Sequence, residues 1–586
     1  MIIQALNDYY NILSNDSNIE ISKEGYSIAK VKFCVILSEN GEMLDLVRLS
    51  DDDKSWKDMM VPVQKKRQGQ KPPSYFLCDN FKYVFGWDFD PKKNSSSPSN
   101  YAAFKELHEN ILIKVENTNG KALLAFLDKW KPELSLDNEI IKTKLDDLAK
   151  EKSANIVFRL DSESGYIHED EEILATWEAY LENNKSKNMG QCLVTGRVEA
   201  IEPTHPNIKG VRDANSAGAT LVGVNAKAFE SYSKKQAFNS PVGKSAVFAY
   251  TTVLNYMLNS KRHRIQIGDA TTVFWAEDTS GECEDLLQEL FNPSENEKGE
   301  QSGFDAKATG FVKDALTRLK EGKPIKEKEN INFFILGLSP NNARLAVRFW
   351  HRDSFGRLVE KVWEHYRDME IISGDERMRL VPLYRLISEV IPKKSQDKKA
   401  PPILSGALMK SIFTGGRYPA GLFYAITNRI RADGEVNHIR AGIIKAYLKR
   451  NARIQSDLEK EEMLTMSLNE ESTNVAYRLG RLFAVLEKSQ REASDVKLNS
   501  TIKDRYFATA STSPRAVFSV LMKLAQHHIA KNEYGYAIEN RIQEIVKDLD
   551  SFPAHLNSEG QGLFILGYYH QREAFYRKNE IIKEGE

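Results

Sequence analysis

The chain has 586 residues, with 82 Lys+Arg against 82 Asp+Glu and an apolar fraction of 41%. That length is more than one hydrophobic core supports, so two or three domains are expected. Equal opposite charges speak against a protein that coats nucleic acid alone, and leave room for contacts through local patches.

An amphipathic helix is predicted over Ile2 to Leu13, followed by strands at Tyr26 to Leu37 and Met43 to Leu49 around the turn Glu39-Asn40-Gly41. The segment Lys65-Lys66-Arg67-Gln68-Gly69-Gln70-Lys71-Pro72-Pro73 is basic, and its glycine and prolines disfavour a helix or central strand, so it reads as an exposed positive loop. Ala102 to Asp128, Asn138 to Lys150 and Glu171 to Leu181 read as helices, with Asn155 to Leu160 as a strand. Strands are expected at Leu193 to Glu199 and Ala219 to Asn225, a strong helix at Ser245 to Leu258, and further strands at Thr271 to Ala276 and Ile331 to Gly337. Beyond Asn341 the spacing of apolar residues is helical, from Ala343 to Arg352 through Glu559 to Tyr576. The fold class is therefore α+β, a mixed β-rich N-terminal portion followed by an α-helical C-terminal bundle. Four segments are expected: an N-terminal α+β region (1–130), a basic central α+β region (131–340), a helical region (341–465) and a C-terminal helical bundle (466–586).

Little in this pattern points to catalysis. Gly243-Lys244-Ser245 mimics the end of a P-loop, but the phosphate cradle needs a glycine where Phe238 stands. Neither a metalloprotease histidine pair nor a complete carboxylate cluster emerges; Asp269, Glu277 and Asp278 only bracket the strand around Trp275. His527 and His528 are neighbours, so on a helix they diverge, and His205 in its loop suits a ligand or a structural place. Cys34, Cys78, Cys192 and Cys283 stand too far apart for a zinc knuckle, which fits buried, reduced thiols. No catalytic residue, metal site or cofactor is assigned. The opening residues have no basic n-region and no apolar run spans a membrane, so a cytoplasmic protein with no membrane partner is expected.

Two basic concentrations carry more information. Across His205 to Ala276, nine basic residues, among them Lys209, Arg212, Lys234, Lys235, Lys244, Arg262 and Arg264, face three acidic ones, with Phe229, Tyr232 and Phe238 interleaved. Across Ala407 to Arg453, nine basic residues, including Arg417, Arg429, Arg431, Lys449 and Arg450, face two acidic ones. Either segment suits phosphate contacts that position nucleic acid, and either equally suits a solvated face over an ordinary core.

These segments also carry family words. Leu77-Cys78-Asp79-Asn80, Cys192-Leu193-Val194-Thr195-Gly196, His205-Pro206-Asn207-Ile208-Lys209-Gly210, Leu338-Ser339-Pro340-Asn341-Asn342 and Gly567-Tyr568-Tyr569-His570-Gln571-Arg572 occur in order from the first hundred residues to the last twenty. Together they resemble the large subunit of type I-C CRISPR surveillance (Cascade) complexes. The resemblance implies an assembly with CRISPR RNA, several backbone subunits and an RNA-processing subunit at the 5′ handle. It implies a non-enzymatic subunit that recognises the protospacer-adjacent motif in double-stranded target DNA, aids duplex opening and R-loop stabilisation, and supports recruitment of a separate helicase-nuclease. Within that frame Asn80 is a candidate motif reader or a turn cap, and Lys32, Lys65, Lys66, Arg67 and Lys71 are candidate phosphate anchors. The competing reading is a standalone DNA-processing nuclease or ATP-using enzyme.

The same resemblance implies that the helical tail is also made as a separate small subunit by internal translation. Glu459-Lys460-Glu461-Glu462 can be encoded by a purine-rich, ribosome-binding sequence, and Met466 follows at a suitable distance. A product from Met466 has 121 residues, with 16 basic and 16 acidic side chains. Any DNA-guiding role must then come from one face, for instance Arg478, Arg481 and Arg491.

Overall fold

The computed structural model describes residues 1–49, 56–64, 67, 73–89, 97–151, 153–184, 188–224, 226–292, 310–325, 328–373, 380–394, 401–494, 500–532, 535–547 and 549–583. Strands are concentrated in the N-terminal half and helices in the C-terminal half, as the α+β reading requires. The chain forms two compact units. One comprises Ile3–His205 and Gly223–Val253, the other Pro206–Val222 and Leu254–Glu586. This division runs elsewhere than the four segments read from the sequence. The segment 206–222 joins the second unit through backbone bonds, Thr220 N–H to the Ala343 carbonyl and Leu345 N–H to the Thr220 carbonyl.

The first unit is organised by one long strand. β1 (Tyr26–Leu37) pairs antiparallel along one edge with β2 (Met43–Arg48) over its second half and β3 (Lys57–Pro62) over its first; its other edge runs parallel to β5 (Asn155–Leu160), which carries the short β4 (Asp79–Asn80). Period-two alternation sends Phe33, Val35 and Leu37 into the larger core, beside Phe104, Phe126 and Ile141 of the covering helices. Cys34 and Ile36 point into a smaller core with Met59, Val61 and Cys78. The single helix expected over Ala102 to Asp128 is two, Ser97–Leu112 and Thr118–Lys129. Asn117 causes the restart: its side chain accepts the Gly120 N–H at the new N-terminus. The strand expected over Leu193 to Glu199 is mostly a turn, with β6 (Met189–Gln191) and β7 (Val198–Ala200) at its flanks.

The second unit is built on an antiparallel sheet ordered β11-β10-β9-β8, with β8 at Arg264–Ile267, β9 at Ala270–Ala276, β10 at Asn332–Asn341 and β11 at Arg344–Ser354. Here Ala343 to Arg352, expected as a helix, is the strand β11. It is turned by Asn342 at φ 55° and pairs with β10 from Asn341↔Arg344 to Asn332↔Ser354. Pairing to an already buried neighbour outweighs the local helical spacing. The strand expected at Ala219 to Asn225 shortens to isolated bridges at Ala219 and Thr220.

Helices then continue to the C-terminus around a core that includes Leu358, Met409, Ile426, Leu482, Phe518 and Phe564. In the tail, the helices Val475–Glu492 and Ser558–Lys583 touch backbone to backbone. A Cβ at Gly480 would collide with the Phe564 carbonyl, and one at Gly567 with the Tyr477 carbonyl. No described helix is long and apolar enough to cross a membrane.

Candidate nucleic-acid interface

In the first unit, Arg67 is a clamp. Its guanidinium pairs with Asp79, donates from Nε to the Pro73 carbonyl at 2.9 Å, and lies between the Tyr75 and Tyr83 rings at 4.0 and 3.8 Å from their centroids. Asp79 is fully buried and also accepts the Tyr75 and Asn80 N–H groups. Burial pushes its carboxyl up to about 6 against the pull of Arg67. This lock ties Arg67 and Pro73, the described residues of the basic segment, to the neighbour of Asn80; Lys65, Lys66 and Lys71 lie outside the described residues.

Asn80 takes the N-cap position of the short helix Phe81–Val84, but its side chain makes no capping bond. Its Oδ1 is buried with no hydrogen-bond partner among the described residues. Lys32 is not on the surface. It is fully buried on β1, where the pairing with β5 skips it between Val31 and Phe33, ion-paired to Glu151, with its ammonium 4.7 Å from the Trp56 ring centroid. A side chain so enclosed has no face for a phosphate.

The first unit also holds the P-loop mimic. Gly243 N–H donates to Cys192 Sγ at 3.1 Å, and Ser245 Oγ donates to Glu199 Oε2 at 2.6 Å. Any Cβ at Gly243 would strike the Glu199 carboxylate. Burial would raise that carboxyl, but bonds from Ser245 and Thr195 keep it below its ordinary value. The chain's own carboxylate thus occupies the helix start where an anion would sit. Lys244, half-buried, lies 3.8 Å from Glu24. His205 gives Nδ1 to a 2.6 Å bond with the Tyr250 hydroxyl, and burial lowers its pKa to about 4.

The remaining cations of the 205–276 segment divide sharply. Lys234 and Lys235, in the first unit, are exposed and have no ion-pair partner among the described residues; the same is true of Lys209 and Arg212 in the second. Backbone bonds hold the latter two, Lys209 N–H to Asn255 Oδ1 and Arg212 N–H to Thr271 Oγ1. Arg262 instead forms a two-pronged pair with Asp285, and Arg264 donates to the Leu258 carbonyl at 2.7 Å.

The 407–453 segment turns most of its charge inward. Arg450 is fully buried, 2.7 Å from Asp368 and over the Tyr418 ring. Arg453 joins Asp368 at 2.7 Å and Glu461 at 2.8 Å, while Arg440 bridges Glu389 and Asp433. Arg429 pairs with Asp433, and Arg431 with Gln561. Burial, aided by nearby Lys449, pushes Lys445 down to about 8. Arg417 is exposed and Lys449 half-buried, and neither has an ion-pair partner among the described residues. Composition showed the excess but could not show that Glu364, Asp368 and Glu389, all outside the segment, absorb it.

The carboxylates around β9 are likewise engaged. Asp269 pairs with Arg348 at 2.9 Å, Glu277 accepts from Asn332, and Asp278 pairs with Lys328. Burial would raise Asp278, but Lys328 and Ser280 outweigh it and hold it at about 2. Among the described residues no group of three or more His, Cys, Asp or Glu side chains stands ready for a metal.

In the tail, Arg478 and Arg481 are buried and donate to the Ser472 and Glu470 carbonyls, and Arg491 pairs with Glu487, so these three do not make the expected basic face. The helix Pro514–Ile529 carries exposed cations instead. It contains no acidic residue and exposes Arg515, Lys523 and His527 along one stripe. The signal available in the sequence was the missing acid, since a bare count of arginines favours buried ones equally.

Met466 lies in exposed coil between the helices Leu458–Met463 and Val475–Glu492, its carbonyl accepting the Ile372 N–H at 3.0 Å. Residues 6–576 match a family model described as CRISPR-associated protein (Cas_Csd1). No curated protein matches the chain.

Proposed function

The chain belongs to the Cas_Csd1 family of CRISPR-associated proteins, and from that premise we propose that it is the large subunit of a type I-C RNA-guided surveillance complex. In this reading it recognises the protospacer-adjacent motif in duplex DNA, aids strand separation, stabilises the R-loop and supports recruitment of a helicase-nuclease, without cutting DNA itself. The family match over nearly the whole chain carries the proposal.

The chemistry is compatible with it. Arg67 pairs with Asp79, the neighbour of Asn80, whose buried side-chain oxygen has no hydrogen-bond partner among the described residues. Exposed Lys209 and Arg212 offer charge for phosphates, which positions a duplex without reading it. A separate small subunit beginning at Met466 is part of the same proposal. It is supported by the exposed coil at that residue and by the acid-free stripe on Pro514–Ile529.

Co-purification tests the reading. The expected preparation contains guide RNA in stoichiometric amount, repeated backbone subunits, an RNA-processing subunit and a C-terminal product whose mass starts at Met466. A monomer that cleaves DNA with Mg²⁺ or hydrolyses ATP would overturn it in favour of a standalone enzyme.

A further inference from the structure

The most exposed aromatic side chain of the first unit sits on a strained turn. Ser231 and Lys234 close it with a 2.9 Å bond from the Lys234 N–H to the Ser231 carbonyl. Both residues between them are left-handed, Tyr232 at φ 53° and Ser233 at φ 58°. Glycine, asparagine or aspartate normally occupies such a pair of positions, because a larger side chain meets its own backbone there. Tyr232 accepts this conformation while the residue is 92% exposed. The ring therefore gains no packing within the chain that would offset the strain.

The rest of the turn is held firmly. Short 3-10 turns at Lys227–Phe229 and Gln236–Asn239 flank it. Asn239 Nδ2 donates to the Phe229 carbonyl at 2.6 Å across the base, and the buried Ala237 ties its N–H to the Pro203 carbonyl at 3.1 Å. Around the tip stand Lys227, Lys234 and Lys235, all exposed and without an ion-pair partner among the described residues, against one acid, Glu230.

We propose that the turn Ser231–Lys234 is a stacking finger, in which the Tyr232 ring takes one face of an unpaired base of single-stranded DNA and the flanking lysines hold the adjoining phosphates. A protein partner would favour an aromatic anchor among apolar neighbours, with charge depleted around it. Here the exposed Phe229 is outnumbered by three lysines, which complement a phosphodiester chain. A base inside a duplex has both faces covered by its neighbours, so the ring selects for a strand already opened. The proposal rests on the DNA-opening function above and adds the strand state, the ring and the turn that contact it.

The test uses the full-length chain with two probes, a single-stranded oligonucleotide containing 2-aminopurine and the corresponding duplex. Stacking on an aromatic ring quenches 2-aminopurine, and wild type is expected to quench it on binding. Tyr232→Ala removes a ring that touches almost nothing, so folding is not at stake. It should abolish the quench and weaken single-strand binding about tenfold, with duplex affinity within about twofold of wild type. Tyr232→Phe should keep both quench and affinity, since the ring and not the hydroxyl is required. Unchanged quenching in Tyr232→Ala, failure of Tyr232→Phe to retain it, or equal losses on both probes would each overturn the finger. So would loss of a protein subunit from the purified complex with single-strand binding intact. Assembly with guide RNA and duplex binding by Tyr232→Ala report separately on the large-subunit reading, which stands or falls without the finger.

Discussion

The two basic segments, 205–276 and 407–453, hold the same number of cations and divide them differently between water and the interior. In the first, Lys234 and Lys235 remain in water, as do Lys209 and Arg212. In the second, Arg440, Arg450 and Arg453 enter the fold and are matched there by Glu389, Asp368 and Glu461. Local charge excess is thus not a measure of surface potential. What decides is whether acids distant in sequence converge on the same place, and burial makes that convergence obligatory because an unpaired internal charge is very costly.

The contrast is broken most strongly at Asp368. Its carboxylate faces Arg450 and Arg453 in the interior, so Asp368→Ala strips the buried Arg450 of its nearest counter-charge, leaving Glu364 at 3.9 Å, and should cost roughly 3–5 kcal/mol. Chemical denaturation would show this as a lowered midpoint, and a variant as stable as wild type would deny that these arginines are structural.

A second test uses pH. Burial holds His108, His168 and His205 at about 4, and His365 and His570 at about 3, below the ordinary imidazole value near 6.5. A group depressed on folding contributes stability that is complete above its unfolded pKa and is lost as pH falls toward the folded one. Each imidazole should therefore cost about 1.4 kcal/mol per pH unit below 6.5. Asp79 and Glu284, raised by burial to about 6 and 7, act in the opposite sense: their stabilisation is present in acid and lost as pH rises through those values. With five imidazoles against two carboxyls, the unfolding midpoint should be lower at pH 5 than at pH 7. An equal or higher midpoint at pH 5 contradicts the buried, neutral assignment.

The smallest stability effect belongs to the exposed segment. Replacing both Lys234 and Lys235 with Gln should leave the unfolding midpoint within about 0.5 kcal/mol of wild type. The same change should reduce the salt dependence of DNA binding, by up to about one unit of slope for each phosphate that is no longer neutralised. A large stability loss would place these lysines with their buried counterparts and erase the distinction.

Much of the architecture was legible because its signals are local. The long strand Tyr26–Leu37 and the helix Lys244–Asn259 follow directly from residue alternation and apolar spacing. The segment Arg344–Ser354 was not, since its strand identity comes from pairing with Asn332–Asn341. The candidate site was legible as composition and opaque as geometry. Lys32 and Arg450 look like any other cations in the sequence, and only the positions of Glu151 and Asp368 show them to be internal. Tyr232 was visible as an aromatic among lysines, but no local rule places a tyrosine at positive φ.

The glycine contact between Val475–Glu492 and Ser558–Lys583 has a consequence at the level of the gene. Since the first and last helices of the tail meet through Gly480 and Gly567, the separate tail product proposed above would need both. A start codon beyond Gly480 or a stop codon before Gly567 would yield an apolar helix without its mate. On the proposed reading, a separately made tail keeps this helix pair whole only if it starts ahead of Val475, as a start at Met466 does.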